Sequence, residues 1–245
     1  MMQPPDLSLI LACYNEEAIL EQRTGKIFEV LDRLGFSIEV IFVDDASADE
    51  TGRLIDRILI ENPGRPLRKI AHAHNTGRGG AVSDGIRAAR GNYVGFIDVD
   101  LEVNPDYIAP CVRALDQGYD VATARRIYKI QPGSLHRQIM SRGYSVLVRW
   151  QTAVPLTDTE TGFKFFRRDR ILLVLDQVHD QGWFWDTEIM VQAHRAGLRI
   201  IEIPTPFERC TDKASSVRIW RDSLNQYRKL RQLGRAIARD KAGPR

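Results

Sequence analysis

Over the first 124 residues, short β-type apolar runs alternate with helix-length segments, and that order constrains the fold more than any other feature of the chain. Leu7 to Ala12, Ile38 to Val43, Leu67 to Ala71, Tyr93 to Ile97 and Tyr119 to Ala124 read as strands. Glu16 to Leu34, Ser47 to Ile60, Gly79 to Arg90 and Pro105 to Asp116 read as helices, capped by Asn15, Ser47 and Asn104 and stopped by Gly35, Asn62-Pro63-Gly64 and Gly91. The order predicts an α/β fold: a mostly parallel, doubly wound, Rossmann-like sheet with helices on both faces. The second half is less regular. Helices are expected at Leu135 to Thr152, Arg168 to Leu175, Phe184 to Ala196 and Arg218 to Ala238, and strands at Thr161 to Phe166 and Leu198 to Ile203, with a polar loop from Pro204 to Ser216. The simplest division is a catalytic unit over 1–217, with a nucleotide-binding half (1–124) and an acceptor half (125–217), followed by a basic C-terminal helix and tail over 218–245.

Two of the strands end in acids. Asp44-Asp45 closes the second, and Asp98-Val99-Asp100 closes the fourth. In open α/β sheets the carboxyl ends of the strands face the ligand crevice. Two carboxylates one residue apart there suit a divalent cation with oxygen ligands, and such a cation can hold a phosphate.

Bulk properties narrow the class. The composition is that of a globular protein, 43% hydrophobic and 27% charged. The net charge of +3 is too mild to point to nucleic acid. Cys13, Cys111 and Cys210 are far apart and show no metal spacing, which suggests a reducing compartment. The five histidines show none either. No signal-peptide pattern opens the chain, and no run approaches the roughly 18 apolar residues of a membrane span. The expectation is a cytoplasmic protein, or a peripheral one on the cytoplasmic membrane face. From Arg218 onward nine Lys and Arg face two Asp. That helix either packs on the domain through Trp220, Leu224, Tyr227, Leu230 or Leu233, and Ile237, or lies on an anionic membrane surface.

Four ordered segments carry a resemblance. Leu11-Ala12-Cys13-Tyr14-Asn15-Glu16-Glu17, Val43-Asp44-Asp45-Ala46-Ser47-Ala48-Asp49, Asn75-Thr76-Gly77-Arg78-Gly79-Gly80-Ala81 and Asp98-Val99-Asp100 together resemble the nucleotide-sugar half of an inverting family 2 glycosyltransferase with the GT-A fold. Ala12 stands where the family commonly has Pro, and Ala46 where it has Gly. Asp158 to Phe166, Gly182 to Glu188, and Arg209 with Lys213, Ser215, Ser216 and Val217 resemble the polyprenyl-phosphate (dolichyl-phosphate) hexosyltransferase branch. The resemblance implies transfer of a hexose from GDP-mannose or UDP-glucose to a polyprenyl phosphate, with Mg²⁺ or Mn²⁺ as cofactor.

On that resemblance, Ala12, Tyr14, Asn15, Glu16, Asp44, Asp45, Asn75 and Gly77 border the donor nucleotide, and Arg209 and Lys213 close over its diphosphate. Asp98, Asp100 and Glu102 are the metal ligands, and Asp98 also faces the donor. Arg125, Arg137 and Ser141 are candidates for the acceptor phosphate; Arg137 and Ser141 share a helix face, while Arg137 and Arg142 also read as a plain solvated helix face. Asp186 and Glu188 are candidates for donor hydroxyls or for base work. Trp183 and Trp185 read equally as core or as a sugar platform, and the Asn75 to Gly80 turn as phosphate contact or as close helix packing. An anionic phosphate acceptor needs cations rather than a strong base, whereas a sugar hydroxyl needs the base. Two other functions fit the same residues: transfer to a sugar or polysaccharide hydroxyl, and a non-catalytic scaffold.

Overall fold

The computed structural model describes residues 3–128, 135–208, 210 and 219–242, with side chains for all of these except 135–142, 219–223 and 241–242. Strands β1 (Leu7–Cys13), β2 (Ile38–Asp44), β3 (Leu67–Ala71), β4 (Tyr93–Ile97), β5 (Val121–Tyr128), β6 (Phe163–Arg167) and β7 (Ile200–Phe207) form one seven-stranded sheet in the order β3-β2-β1-β4-β6-β5-β7. The sheet is parallel except for β6, which runs antiparallel between β4 and β5. The chain leaves β1 towards one edge through β2 and β3, and towards the other through β4. The order therefore reverses between β1 and β4, which is where α/β sheets open a ligand crevice.

Helices α1 (Leu20–Leu31), α2 (Thr51–Glu61) and α4 (Ile108–Asp116) share a core with one face of the sheet, around Leu9, Phe42, Ile55 and Ile108. Helices α3 (Arg78–Ala88), α5 (Leu135–Thr152), α6 (Arg168–Leu175), α7 (Trp185–Arg195) and α8 (Ile219–Ala242) flank the other, around Ile10, Phe96, Trp185 and Ile189. Both cores are buried aliphatic and aromatic layers, the interior a doubly wound sheet requires. Among the described residues no helix is long and apolar enough to cross a membrane.

Several boundaries differ from the sequence expectation, each for a local reason. α1 begins at Leu20 rather than Glu16, because Asn15 takes a left-handed φ of 54° and the Glu16 amide donates to Thr51 Oγ1 at 2.7 Å. α2 begins at Thr51 rather than Ser47: the Ser47 amide is spent on Asp44 Oδ1 at 3.0 Å, and Asp49 Oδ1 caps the Thr51 amide at 3.0 Å. β5 continues to Tyr128, and β7 runs through Pro204 and Pro206, which read as loop in the sequence. β7 lies at the sheet edge, where proline costs no inner ladder bond.

The turn after β2 holds Ala46 at φ 58°. A left-handed φ costs an L-residue about 1–2 kcal/mol, against about 0.5–1 kcal/mol of extra chain entropy for glycine. Ala46→Gly is expected to stabilise the fold by about 0.5–1 kcal/mol, read as a thermal midpoint about 1–4 °C higher. An unchanged or lower midpoint would show that the turn is not strained.

Candidate active site at the sheet switch point

The ends of β1 and β2 are laced together first. The Asp45 amide donates to Cys13 O at 2.9 Å, the Asn15 amide to Ser47 Oγ at 3.1 Å, and the Ala48 amide to Asn15 Oδ1 at 2.8 Å. Tyr14 projects from this corner, exposed, and Ala12 is half-buried below it. Asp44 is buried, and a side chain on Gly52 would place Cβ 2.7 Å from its Oδ2. The bare start of α2 thus makes room for that carboxylate.

Asp45 organises the third loop. Its Oδ1 accepts from the Thr76 amide (2.7 Å), Thr76 Oγ1 (2.8 Å) and sits 2.8 Å from His72 Nδ1, while Oδ2 accepts from the Gly77 amide at 2.8 Å. Burial pushes its carboxyl up, yet these donors outweigh that and leave it below its ordinary value. Asn75 donates to the Asp45 carbonyl at 3.2 Å. Asp45, Asn75 and Gly77 are therefore tied to one another, and the Asp45 carboxylate is fully engaged within the chain. Gly77 takes φ 90°, and a Cβ on it would lie 2.5 Å from Gln181 O; one on Gly79 would lie 2.4 Å from Trp185 Cβ. In the structure the glycines of this turn allow α3 to pack against residues 181–185.

That packing delivers Arg78 to the crevice. Its Nε donates to Asp98 Oδ1 at 2.7 Å and its Nη1 to Asp186 Oδ2 at 2.5 Å. Asp186 Oδ1 accepts from Lys164 Nζ at 2.7 Å, and Lys164 also donates to Thr161 O. Lys164 comes up from β6 with no exposure at all, its ammonium 5.5 Å above the Phe96 ring. Two acids and two cations thus alternate: Asp98, Arg78, Asp186, Lys164. Burial works against the charge on Arg78, and Asp186 and Asp98 more than restore it. Burial pulls Lys164 down, with Asp186 opposing. Trp185 is core, edge-on to Phe96 at 5.4 Å, with its indole N–H donated to Ser83 Oγ at 2.8 Å. Trp183 is exposed and stacks on Arg78, 5.3 Å from ring centre to guanidinium.

Asp98 and Asp100 open onto the same crevice. The Asp98 amide donates to Gly162 O at 2.9 Å, and a Cβ on Gly162 would fall 1.7 Å from Asp98 Oδ2, so only glycine admits that carboxylate. Leu101 takes φ 54°, and the Glu102 amide turns back to Asp100 Oδ1 at 3.2 Å. Burial, then Asp100 and Asp186, push the Asp98 carboxyl up to about 6 against the pull of Arg78. Burial, then Glu102 and Glu16, push Asp100 up as well. The three-carboxylate shell expected from Asp98, Asp100 and Glu102 is not assembled: Asp98 is drawn to Arg78, and Glu102 Oε1 accepts the Cys210 amide at 3.3 Å. Among the described residues no three His, Cys, Asp or Glu side chains converge as a metal cage. The remaining pair still suits a hard cation. Both donors are carboxylate oxygens raised by burial and by like charge, and Mg²⁺ typically takes one or two protein carboxylates and completes its shell from phosphate and water.

The other expected site residues divide. Glu188 Oε2 accepts the His179 and Asp180 amides at 3.1 and 2.8 Å and fixes the loop before α7, and its carboxyl is raised by burial. Arg125 is part-buried on β5, and its neighbour Arg126 points to the opposite side, bidentate on Asp158 at 2.7 and 2.8 Å and 3.5 Å from Glu160. Arg209 and Lys213 lie outside the described residues, as do the side chains of Arg137 and Ser141. Arg78, Lys164 and Arg126 are the residues that sequence reasoning missed. A lone lysine inside Phe163-Lys164-Phe165-Phe166 and an arginine between glycines at a helix start are the signals that would have found the first two.

The model of the family described as "Glycosyl transferase family 2" matches residues 8–174. Glycosyltransferase AglD of Haloferax volcanii is 34% identical over 83% of this chain and 33% of its own length. The dolichyl-phosphate beta-glucosyltransferase of Dictyostelium discoideum is 28% identical over 80% of this chain and 64% of its own. The chain thus spans a third of the first and under two thirds of the second. Among solved structures, glucosyl-3-phosphoglycerate synthase of Mycobacterium tuberculosis, crystallised with Mn²⁺, UDP and glucosyl-3-phosphoglycerate, superimposes with a TM-score of 0.65 at 17% identity over 96% of this chain and 78% of that one. A mannosyltransferase of Pyrobaculum calidifontis, crystallised with GDP-mannose and Mn²⁺, gives 0.65 at 20% identity over 97% of this chain and 65% of that one. At these identities the structural likeness speaks for the GT-A fold.

Proposed function

Because the chain belongs to glycosyl transferase family 2, we propose that it transfers a hexose, with inversion, from a nucleotide sugar to a polyprenyl phosphate. The observation that carries this reading is the condition of the two acids available for base work. Asp186 is buried, with both oxygens holding cations, and Glu188 is anchored through Oε2 to two backbone amides of the loop before α7. A sugar hydroxyl would need one of them to take its proton, whereas a phosphate monoester is already anionic near neutral pH. The dolichyl-phosphate beta-glucosyltransferases among the relatives support the same acceptor and favour glucose over mannose.

On this reading the donor nucleotide lies at the switch point between β1 and β4, bordered by Tyr14, Asn15, Glu16 and Asp44. Asp45 acts one step back, holding Asn75 and Gly77 in the turn that sets Arg78 in place. Asp98 and Asp100 would hold Mg²⁺ or Mn²⁺. That cation, when bound, offsets the negative charge that grows on the departing nucleoside diphosphate. Asp186, fixed by Lys164 and Arg78, orients Arg78 against Asp98. Arg125, with Arg137 and Ser141 from α5, would meet the acceptor phosphate, and Arg209 and Lys213 the donor diphosphate. Cations there serve by holding the phosphate oxygen in line with the anomeric carbon. The domain division proposed is the one read from the sequence, with 1–217 catalytic.

A panel of UDP-glucose and GDP-mannose against a short polyprenyl phosphate and soluble sugars, with Mg²⁺ or Mn²⁺, tests the proposal. Glucose on the lipid phosphate and none on soluble sugars is the expected product. Transfer only to soluble sugar hydroxyls overturns the acceptor reading. No transfer from either donor, together with no thermal shift by UDP or GDP, overturns the enzyme reading in favour of a scaffold.

A further inference from the structure

Two tryptophans at the entry to α7 meet opposite fates. Trp185 is fully buried, and its indole N–H is taken by Ser83 Oγ. Trp183 is 42% exposed, and among the described residues its indole N–H has no hydrogen-bond partner. Leaving a large ring in water forgoes the stabilisation its burial brings. The chain nevertheless holds this ring still. Glu188 Oε2 accepts the His179 and Asp180 amides, Asp180 Oδ1 accepts the Gly182 amide at 2.8 Å, and Gln181 O accepts the Gly80 amide at 3.0 Å. Lys229 of α8 pairs with Asp180 as well. α8 is itself anchored, because Leu230, Leu233 and Ile237 lie in the core. The loop that carries Trp183 is thus tied to α3, α7 and α8 at once.

The place of the ring is as informative as its rigidity. The Arg78 guanidinium lies 5.3 Å from its centre, and Arg78 is bound to Asp98 and Asp186. Lys164 completes the run on Asp186, so two acids and two cations answer one another and the four charges cancel. In sheet order Tyr14 and Asp44 stand at the ends of β1 and β2, Asp98 at the end of β4, and Asp186, held by Lys164, over β6. The ring beside Arg78 belongs to the Asp98–Asp186 end of the crevice and not to the Tyr14–Asp44 end.

We propose that Trp183 is the platform for the donor's hexose: the apolar C–H face of the sugar lies on the indole, and its hydroxyls reach the indole N–H and the Arg78–Asp98 pair. The inference rests on the reading that the donor is a nucleotide sugar. A hexose has both parts that this place calls for. Its C–H groups present positive charge to the negative face of the ring. Its hydroxyls bond to ionic groups without adding charge to a balanced run. A phosphate would upset that balance, and an isoprenoid tail would strip water from the charged groups and offer no hydrogen bond in return. A ring fixed before binding loses little freedom when the sugar arrives.

Isothermal titration calorimetry of the full chain, with Mg²⁺ and no acceptor, tests it; the probes are UDP against UDP-glucose and GDP against GDP-mannose. Trp183→Ala is expected to weaken the nucleotide sugar that the parent binds by about tenfold, and to change the matching free nucleotide by less than about twofold. Trp183→Phe, which keeps a ring, is expected to restore most of the loss. The ring is exposed and Arg78 keeps both carboxylates, so both variants are expected to fold with a thermal midpoint near the parent's. Equal weakening of nucleotide and nucleotide sugar overturns the platform and leaves the donor reading intact. So does binding of both unchanged by Trp183→Ala, and a raised KM for a short polyprenyl phosphate would then give the ring to the lipid. A parent that binds none of the four probes overturns the donor reading, and the platform with it.

Discussion

Asp100→Ala is expected to lower sugar transfer by about a thousandfold or more while raising the thermal midpoint at pH 7. The loss follows if Asp100 is one of two carboxylates at the diphosphate, because its charge is then used where charge develops. The gain follows from its surroundings. Burial, and after it Glu102 and Glu16, raise the Asp100 carboxyl above its unfolded value. A carboxyl raised by folding contributes stability at low pH and loses it as the pH rises through the folded value. At pH 7 the ionised group is a liability, and the hydrogen bond it accepts from the Glu102 amide is long at 3.2 Å. The difference between variant and parent midpoints should therefore be small near pH 4 and grow towards pH 8. UDP with Mn²⁺ should raise the parent midpoint and leave that of the variant nearly unmoved. Undiminished transfer would remove Asp100 from the site, and a midpoint that falls at pH 7 would make it a structural carboxylate.

That conflict between fold and function is partly visible in the sequence. Two acids directly after an apolar strand are an unfavourable thing to bury, so Asp98 and Asp100 stand out wherever the β-α order is recognised. The same order gives the mostly parallel, doubly wound sheet, because sequential βαβ units have few topologies open to them; the adjacency of β1 and β4 comes from the folded sheet. What surrounds the acids is less legible. Asp45 and Glu188 each look like ligands in the sequence, yet their oxygens go to amides of Thr76, Gly77, His179 and Asp180, in loops whose approach only the folded chain brings about. The antiparallel insertion of β6 between β4 and β5 is likewise a long-range pairing without a local signature. It is also what carries Lys164 beneath Asp186. A single lysine in a strand ordinarily reads as a solvent-facing position of a half-buried sheet, and here both faces are covered. The prolines of β7 mislead in the same way, since edge position and not composition lets them join the sheet.

The Lys164 and Asp186 pair is where the fold and the site are one object, and Lys164→Met is the variant that exposes it. Lys164 is fully buried and Asp186 nearly so, joined at 2.7 Å. Removing one partner of a buried pair strands the other, at about 3–5 kcal/mol. Arg78 remains on Asp186, so a loss near the lower end, about 3 kcal/mol, is expected, or about 6–12 °C in thermal midpoint for a chain of this size. Lys164→Met combined with Asp186→Leu removes both charges and leaves Arg78 to Asp98 alone. The combined variant should be more stable than Lys164→Met by about 1 kcal/mol or more, since apolar replacement of a buried pair is often neutral. Losses that simply add would show that the two charges do not depend on each other. Transfer supplies the second reading. With Lys164 gone, Arg78 is the one described cation on Asp186 and is drawn from Asp98 towards it. The folded fraction of Lys164→Met should accordingly transfer sugar more slowly than the parent, measured below its midpoint. A variant that is less stable yet equally active per folded molecule would confine Lys164 to the core and separate it from the placement of Arg78.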